Sequence, residues 1–175
     1  MGPPPFESVV AEHHAEIYRY LRRTLFRAGE AEDLAQETFL RAYRAYRGLS
    51  PDARVRPWLF TIATNVARNH FRSEARRRRA HTAMETVGRD GTDAGADEEV
   101  TLGEIRVQLD AAVVALPPKQ RLAFTLRKVH DLDYETIARS LDCSVDSARA
   151  HVFQALRKLR RSLNGHLAAA PEPRA

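Results

Sequence analysis

Residues 134–159 read "YETIARSLDCSVDSARAHVFQALRKL", and this stretch predicts two helices joined by a turn of only a few residues. Asp133 can cap the first helix, and the hydroxyl of Ser144 can cap the second. The first helix has three inward-facing side chains: Ile137, Ala138 and Leu141. Asp142 and Cys143 form the turn between the two helices. The stretch therefore predicts a helix-turn-helix.

The second helix of this pair has two different faces. One is an apolar stripe about 100° wide, formed by Val145, Ala148, Val152, Ala155, Leu156 and Leu159. The other carries Ser147, Ala150, Phe153, Gln154, Arg157 and Arg161, with Arg149 at one flank and His151 at the other. Such a face suits the DNA major groove, where Arg and Gln reach base edges or phosphates. The alternative is an ordinary helical hairpin with a solvated basic face.

The composition favours a cytoplasmic protein with an acidic partner. The chain has 175 residues, a net charge of +5 and one cysteine, Cys143, which excludes an internal disulfide and a cysteine-rich zinc site. No window approaches the roughly 20 apolar residues of a membrane span, and the N-terminus lacks a secretory signal. We therefore expect no membrane insertion. The excess of basic residues suits nucleic acid as the acidic partner.

A change of charge divides the chain. Residues 68–79 read "RNHFRSEARRRR", whereas residues 84–100 hold six acids against one arginine. Apolar periodicity is near 3.6 on both sides, so the predicted fold class is all-α with two small helical domains. The expected limits are a first domain at 1–80, a flexible acidic linker at 81–103, a second domain at 104–166 and a disordered tail at 167–175.

The second domain also contains two helices ahead of the helix-turn-helix. The first is predicted from one apolar stripe: Ile105, Leu109, Ala112, Val113 and Leu116. This stripe stops at Pro117 and Pro118, and "KQRLAFTLRKV" then resumes the helical pattern.

In the first domain, the second predicted helix carries one leucine on its polar face. The first helix has the stripe Phe6, Val10, Ile17, Leu21 and Leu25 and is expected to end near Gly29. The second, "AEDLAQETFLRAYRAYRGL", is expected to bury Leu34, Ala35, Thr38, Phe39, Ala42, Ala45 and Tyr46. Its other face carries Gln36, Glu37, Leu40, Tyr43, Arg44 and Arg47. Leu40 amid polar neighbours is typical of an apolar anchor on a docking surface, although a single exposed leucine is also common.

The third helix, "WLFTIATNVARNHFR", follows an expected loop at residues 50–57 and presents paired amides. It is predicted to bury Leu59, Ile62, Ala63, Val66 and His70, with Thr61, Asn65, Arg68, Asn69 and Arg72 on the opposite face. Asn65 and Asn69 are adjacent on that face, although asparagine is a mediocre helix former. Amides beside arginines can read base edges while the arginines hold phosphate. The alternative is a solvated polar face.

Together these segments resemble the extracytoplasmic function group of the sigma-70 family, small bacterial sigma factors built from sigma domain 2, a linker and sigma domain 4. "DLAQETFLRAYRAYRGL" is similar to the family's polymerase-binding helix and "WLFTIATNVARNHFR" to its −10-reading helix. Residues 116–160 resemble sigma domain 4. The resemblance covers the chain from Phe6 to about Leu163.

The resemblance implies three sets of site residues. Those for core RNA polymerase, whose beta-prime clamp helices and beta subunit are the expected partners, are Asp33, Gln36, Glu37, Leu40 and Arg44. Those for the −10 element are Thr61, Asn65, Arg68, Asn69 and Arg72, with the loop from Ser50 to Pro57 capturing an unstacked base. Those for the −35 element are Arg127, Arg149, Ala150, Phe153, Gln154 and Arg157. It also implies promoter DNA and an anti-sigma factor as partners, with no catalytic residue, metal or cofactor.

The chain departs from the family pattern in the −35-reading helix. His151 and Gln154 stand where arginines are common, Ala148 replaces a common valine, and Ala150 a common serine. These departures leave the fold expectation intact and the −35 sequence preference open.

Three other functions compete with this interpretation. A stand-alone helix-turn-helix regulator explains residues 134–159 but leaves Leu40 and the asparagine helix without a purpose. An enzyme could use "EHHAE", with Glu12, His13, His14 and Glu16 as metal ligands, but the two histidines point about 100° apart on a helix. A structural helical adaptor would not need two basic surfaces.

Overall fold

The computed structural model describes residues 4–25, 27–82 and 102–169. These residues form seven helices and no strand: α1 (Phe6–Leu25), α2 (Ala28–Tyr46), α3 (Val55–Thr82), α4 (Leu102–Val114), α5 (Pro118–Lys128), α6 (Tyr134–Leu141) and α7 (Val145–Ala169). The predicted all-α fold class is confirmed. None of the helices in the described ranges is long and apolar enough to cross a membrane.

The N-terminal unit consists of α1, α2 and α3, which pack against one another in pairs. Tyr20 of α1 is fully buried, and its hydroxyl lies 2.8 Å from Thr64 Oγ1 of α3. Burial raises the pKa of Tyr20, so the phenol stays neutral and satisfies its polar end inside the core. At the other end of the unit, Tyr46 donates a hydrogen bond to the Pro4 carbonyl at 2.7 Å.

Three expectations about this unit are wrong. The first helix ends at Leu25, and Gly29 lies in the first turn of α2, because extended backbone at Arg27 separates the helices. The third helix begins at Val55, inside the expected loop, because proline at position 57 needs no amide hydrogen bond in a first turn. Ala45 is exposed instead of buried.

The C-terminal unit consists of α4 to α7, and its helix-turn-helix forms as predicted. Asp133 Oδ1 accepts a hydrogen bond from the Thr136 amide at 2.7 Å, and Ser144 Oγ accepts one from the Ser147 amide at 3.1 Å. Asp142 takes a left-handed conformation with φ of 52°, which ends α6. These local caps fix where both helices of the motif begin.

The stripe predicted for α4 is buried only in its second half. Ala112, Val113 and Leu116 lie against α7, whereas Ile105 and Leu109 are substantially exposed. α4 packs on α7 through Ala112, Val113 and Leu116, whereas its earlier residues Arg106 and Asp110 line an open cleft beside α1.

The helices also extend into the segments predicted to be linker and tail. α3 continues to Thr82 and α4 begins at Leu102, so both ends of the expected linker at 81–103 are helical. Residues 83–101 lie outside the described residues. α7 continues to Ala169, three residues into the expected tail, and residues 170–175 also lie outside the description.

The two units pack against each other and share one apolar core. α6 lies on α3, and α5 contacts α1 and α3. At the centre, the buried ring of His130 lies between Tyr20 and Phe60, with ring centroids 5.5 and 4.8 Å away. Arg121 of α5 donates to the Thr24 carbonyl at 2.9 Å and stacks on the Phe71 ring. Side chains that are far apart in sequence thus hold the two units together around a common core.

Candidate polymerase-binding and DNA-binding surfaces

The outward face of α2 carries an apolar pair among polar side chains. Leu40 is 53% exposed and Tyr43, three residues on, is 56% exposed. Asp33, Gln36 and Arg44 are exposed on the same face, and Glu37 is half-buried beside them. Glu37 Oε1 accepts a hydrogen bond from Arg41 Nε at 2.6 Å, which orders the carboxylate at the edge of the apolar pair. The five predicted polymerase-binding residues therefore lie on one accessible surface.

Tyr43 was not among those five residues, although the sequence offers a signal for it. It follows Leu40 by three positions and so shares its face. Its ring packs edge-on against Phe6 of α1, with centroids 5.3 Å apart. The contact holds one edge of the ring and leaves the other accessible, which suits a rigid anchor in an interface.

The five −10 residues on α3 fall into two groups. Asn65, Asn69 and Arg72 are exposed. Thr61 and Arg68 are half-buried beneath α6: Thr61 Oγ1 lies 3.1 Å from Ser140 Oγ, and Arg68 donates to the Ser140 carbonyl at 3.3 Å. One side of the expected DNA-facing surface is therefore in contact with the C-terminal unit.

A cleft of about 350 Å³ opens beside the loop that precedes α3. Its walls are formed by Leu49, Ala53, Arg54, Pro57, Trp58, Thr61 and Arg139. All but Arg139 belong to the N-terminal unit, and Arg139 reaches it from α6. An apolar wall with tryptophan and arginines at its rim can stack a planar base and neutralise its phosphate.

The exposed face of α7 contains five of the six predicted −35 residues. Arg149, Ala150, Phe153, Gln154 and Arg157 are all exposed, and Phe153 is 66% exposed. The sixth, Arg127 of α5, is half-buried: it donates to the Leu132 carbonyl at 3.0 Å and pairs with the exposed Asp131 at 3.3 Å. Arg127 and Arg149 both lie against the Tyr134 ring, 5.0 and 5.3 Å from its centroid. Arg127 is thus tied to the turn before α6, while Arg149 remains at the edge of the reading face.

Gln154 has a partner that the sequence did not suggest. Gln120 of α5 donates from Nε2 to Gln154 Oε1 at 2.7 Å. This bond engages the acceptor of Gln154 and leaves its amide donors toward solvent. The two residues are 34 positions apart, so local periodicity carries no signal for the pair.

A polar cluster lies where the two units meet. Arg56 donates to both Glu16 carboxylate oxygens and, at 2.8 Å, to the His130 carbonyl. His130 Nδ1 lies 3.3 Å from Glu16 Oε1. Burial by itself raises the pKa of Glu16, but hydrogen bonds and charges from Arg56 and His130 outweigh it and hold that pKa below its usual range. Burial lowers the pKa of His130, and Glu16 only partly opposes this.

The residues of "EHHAE" are used in packing and pairing. The His14 ring stacks on Phe39 of α2, and Glu16 belongs to the cluster at the interface. Within the described ranges, no group of three or more His, Cys, Asp or Glu side chains is arranged to hold a metal ion.

The comparisons with known proteins agree with this arrangement. Residues 9–77 match sigma-70 region 2, and residues 106–159 match sigma-70 region 4. The RNA polymerase sigma-H factor of Pseudomonas aeruginosa is 32% identical over 165 residues, which cover 90% of this chain and 86% of that protein. The ECF RNA polymerase sigma-E factor of Escherichia coli (strain K12) is 31% identical over 135 residues, which cover 73% of this chain and 71% of that protein. The chain belongs to the sigma-70 family, in the extracytoplasmic function (ECF) group.

Two solved structures have the same fold. The sigma factor RpoE of Bartonella quintana, solved with the anti-sigma factor NepR, superposes with a TM-score of 0.67 at 21% identity, over 91% of this chain and 96% of that one. CnrH, solved with the cytosolic domain of CnrY, gives a TM-score of 0.64 at 23% identity, over 91% and 88%. Sigma factors are non-enzymatic: they bind core RNA polymerase, recognise promoters and direct transcription initiation.

Proposed function

We propose that this sigma factor uses three separate surfaces, one to bind core polymerase and one for each promoter element. The α2 face around Leu40 and Tyr43 docks on the beta-prime clamp helices of core polymerase. The α3 face and the adjoining cleft bind the −10 element, and the exposed face of α7 binds the −35 element. We assign the first two tasks to residues 1–80 and the third to residues 104–166. The observation that carries the proposal is the exposed Leu40 and Tyr43 pair, because two large apolar side chains among charges suit a desolvated protein contact.

Two neighbouring features support reading of the −10 element: the exposed amide side chains of α3 and the cleft beside the loop that precedes this helix. Asn65 and Asn69 are exposed one helical turn apart and can hydrogen-bond the edges of unstacked bases. The cleft beside Trp58 has the size and stacking surface for one flipped base. Binding of flipped bases offsets the free-energy cost of opening the duplex, so no chemical step by the protein is needed.

Reading of the −35 element is supported by the mixed chemistry of α7. Phe153 can make apolar contact with a thymine methyl group, and Gln154 can hydrogen-bond a base edge. Arg149 and Arg157 flank them and can hold phosphates, which sets the register of the helix in the groove.

Binding to both promoter elements requires the two units to move apart. Thr61 and Arg68 contact Ser140 of α6, so full use of the −10 surface means removing α6 from α3. The proposal therefore includes a closed free form and an opened form on the polymerase.

We place this chain in the cytoplasm, where core polymerase and promoter DNA are found. We also propose an anti-sigma factor as a partner. Of the two similar solved structures, one is a sigma factor bound to the anti-sigma factor NepR, and the other is CnrH bound to the cytosolic domain of CnrY.

The test is promoter binding with and without core polymerase. We expect a sequence-specific complex only when core is present, whereas a stand-alone regulator would bind its operator alone. Leu40→Asp should lower affinity for core at least tenfold, because a desolvated anchor typically contributes about 2 kcal/mol or more. Ala45→Asp is the matched control, since it adds the same charge to an exposed site on another face of α2. Normal competition for core by Leu40→Asp would refute the assignment of the docking surface.

A further inference from the structure

A second cavity, of about 480 Å³, lies where the two units meet. α3 of the N-terminal unit forms one wall of this interface cavity, and α5 and α7 of the C-terminal unit form the others. Small-molecule sites usually have volumes of about 300–1,000 Å³ and often lie between domains. Because its walls belong to both units, the cavity exists only while the units are closed. A molecule bound there contacts both units at once.

Much of the lining of the interface cavity is apolar. The apolar residues are Phe71, Ala75, Pro117, Pro118 and Leu122. The guanidinium of Arg121 lies over the Phe71 ring, 5.3 Å from its centroid, and helps to hold that ring in place. Proline rings are rigid, so neither wall needs to lose much side-chain freedom to hold a ligand. The lining therefore favours a flat apolar body, such as an aromatic ring.

The ionisable side chains that line the cavity are all basic among the described residues: Arg68, Arg72, Lys119 and His151. Arg72 and Lys119 form no ion pair or hydrogen bond with any described residue. Burial and the charge of Lys119 both lower the pKa of His151, and no carboxylate in the lining opposes them. The positive potential of the cavity therefore complements an anion.

The first turn of α5 adds hydrogen-bond donors to the same cavity. Pro117 is the N-cap residue, and no side chain caps this helix. The Arg121 amide donates to the Pro117 carbonyl at 2.9 Å, and Pro118 has no amide proton. The amides of Lys119 and Gln120 therefore have no partner within the helix. An anion at this end satisfies them and interacts favourably with the helix dipole.

Two buried polar atoms of the lining also lack a hydrogen-bond partner among the described residues. They are His151 Nδ1 and Gln120 Oε1. Gln120 Nε2 donates to Gln154, so its oxygen is the atom left over. A buried polar group without a hydrogen bond costs free energy, which a ligand can recover. A carboxylate can accept a hydrogen bond from His151 Nδ1 when that nitrogen carries the proton.

We propose that the interface cavity binds a small aromatic carboxylate. Its ring lies against the apolar lining, and its carboxylate lies at the first turn of α5, near Lys119 and Arg72. This inference goes beyond the proposed function and does not depend on it. A DNA strand suits the cavity less well, because two of its three walls belong to the C-terminal unit and separate from α3 when the units open. Since the ligand needs both units, its binding favours the closed form.

The experiment titrates the free full-length protein with 2-naphthoate and with 2-naphthamide, its uncharged analogue, by calorimetry. Lys119→Gln removes one charge from the cavity, and Lys128→Gln removes the same charge from an exposed site at the other end of α5. Ala75→Phe fills the apolar part, and Ala45→Phe adds the same ring at an exposed site on α2. Circular dichroism checks that each variant is folded.

We expect one molecule of 2-naphthoate to bind each chain, with an affinity about tenfold or more above that of 2-naphthamide, as for one charge-assisted hydrogen bond. Lys119→Gln should remove most of this difference and leave the affinity for 2-naphthamide unchanged. Ala75→Phe should lower the affinity for both compounds. Lys128→Gln and Ala45→Phe should bind both compounds as the wild type does.

Three results would overturn the proposal. The first is no saturable binding of 2-naphthoate to the wild type, or equal affinities for the two compounds. The second is an equal loss of affinity in the cavity variants and their controls, which would show general binding to basic or apolar surface. The third is a loss of affinity for a −10 single strand in Lys119→Gln as large as that for 2-naphthoate, which would assign the cavity to DNA. Because the titrations contain no polymerase or DNA, failure of the proposed function would leave their result unchanged.

Discussion

Replacing His130 with alanine should loosen the contact between the two units. The imidazole is buried, and its aromatic and carboxylate partners, Tyr20, Phe60 and Glu16, all belong to the N-terminal unit. Truncating a large buried side chain costs about 2–5 kcal/mol. We take a value near the lower limit, about 2 kcal/mol, because His130 Nε2 is buried without a partner and its removal recovers that desolvation cost. A loss of about 2 kcal/mol increases the ratio of open to closed molecules roughly 30-fold.

The same site gives the closed form a defined pH dependence. Burial lowers the pKa of His130 in the closed form, with Glu16 opposing the shift and Arg56 and Arg23 adding to it. In the open form the ring returns toward its ordinary pKa of about 6.5 and so binds more protons than in the closed form. The contact between the units is therefore strongest above about pH 6.5 and weakens as the pH falls toward the lowered pKa. His130→Ala should remove this dependence over that range.

Energy transfer between two dyes measures the opening directly. With Cys143 replaced by serine, cysteines at the exposed positions Glu32 of α2 and Lys158 of α7 carry the dyes. We expect longer distances for His130→Ala at pH 8, and for the wild type as the pH falls from 7.5 to 5.5. Phe153→Ala is the control, because it truncates an exposed aromatic ring of the C-terminal unit away from the contact between the units, on the face proposed to bind DNA. Unchanged distances in His130→Ala with normal helicity would refute the reasoning.

Two further predictions concern the DNA-reading faces. Asn65→Ala and Asn69→Ala should each slow open-complex formation, and the defect should shrink on a promoter opened in advance by a mismatched bubble; an equal loss on both templates would indicate a role in folding instead. Gln154→Arg should shift one −35 position from adenine toward guanine by about 1–3 kcal/mol, visible in a randomised selection. Gln120→Ala should strengthen the adenine preference, because it frees the Gln154 acceptor that adenine needs; identical −35 profiles for all three proteins would show that Gln154 reads no base.

The sequence predicts those parts of the fold that depend on local interactions. Asp133 and Ser144 cap their helices through residues only three positions away, and both caps form as expected. The apolar period of α7 likewise places Ala148 and Val152 in the core. In each case the deciding energy comes from neighbours along the chain or from a repeated pattern of burial.

The contacts that could not be predicted join residues far apart in sequence. Thr61 and Ser140 are 79 positions apart, and no periodicity indicates that α6 lies on this part of α3. Ala45 follows the apolar stripe of α2 yet is exposed, because the stripe is wider than the surface that α1 and α3 cover. Arg127 is predicted to contact DNA, and its additional contacts with the Leu132 carbonyl and the Tyr134 ring have no signal in the local periodicity.

The different accessibility of the surfaces implies an order of events. Leu40 and Tyr43 are exposed while the units are closed, whereas Thr61 and Arg68 are in contact with α6. On the proposed assignment of the surfaces, core polymerase can bind the closed form, whereas full −10 contact requires the open one. A ligand shifts such an equilibrium only by its difference in affinity for the two forms. Under the same proposal, binding of core favours separated units through contacts with both of them. Free sigma factor should then bind promoter DNA weakly because part of its −10 surface is already occupied, and variants that loosen the units, such as His130→Ala, should bind a −10 single strand without core more tightly than the wild type does.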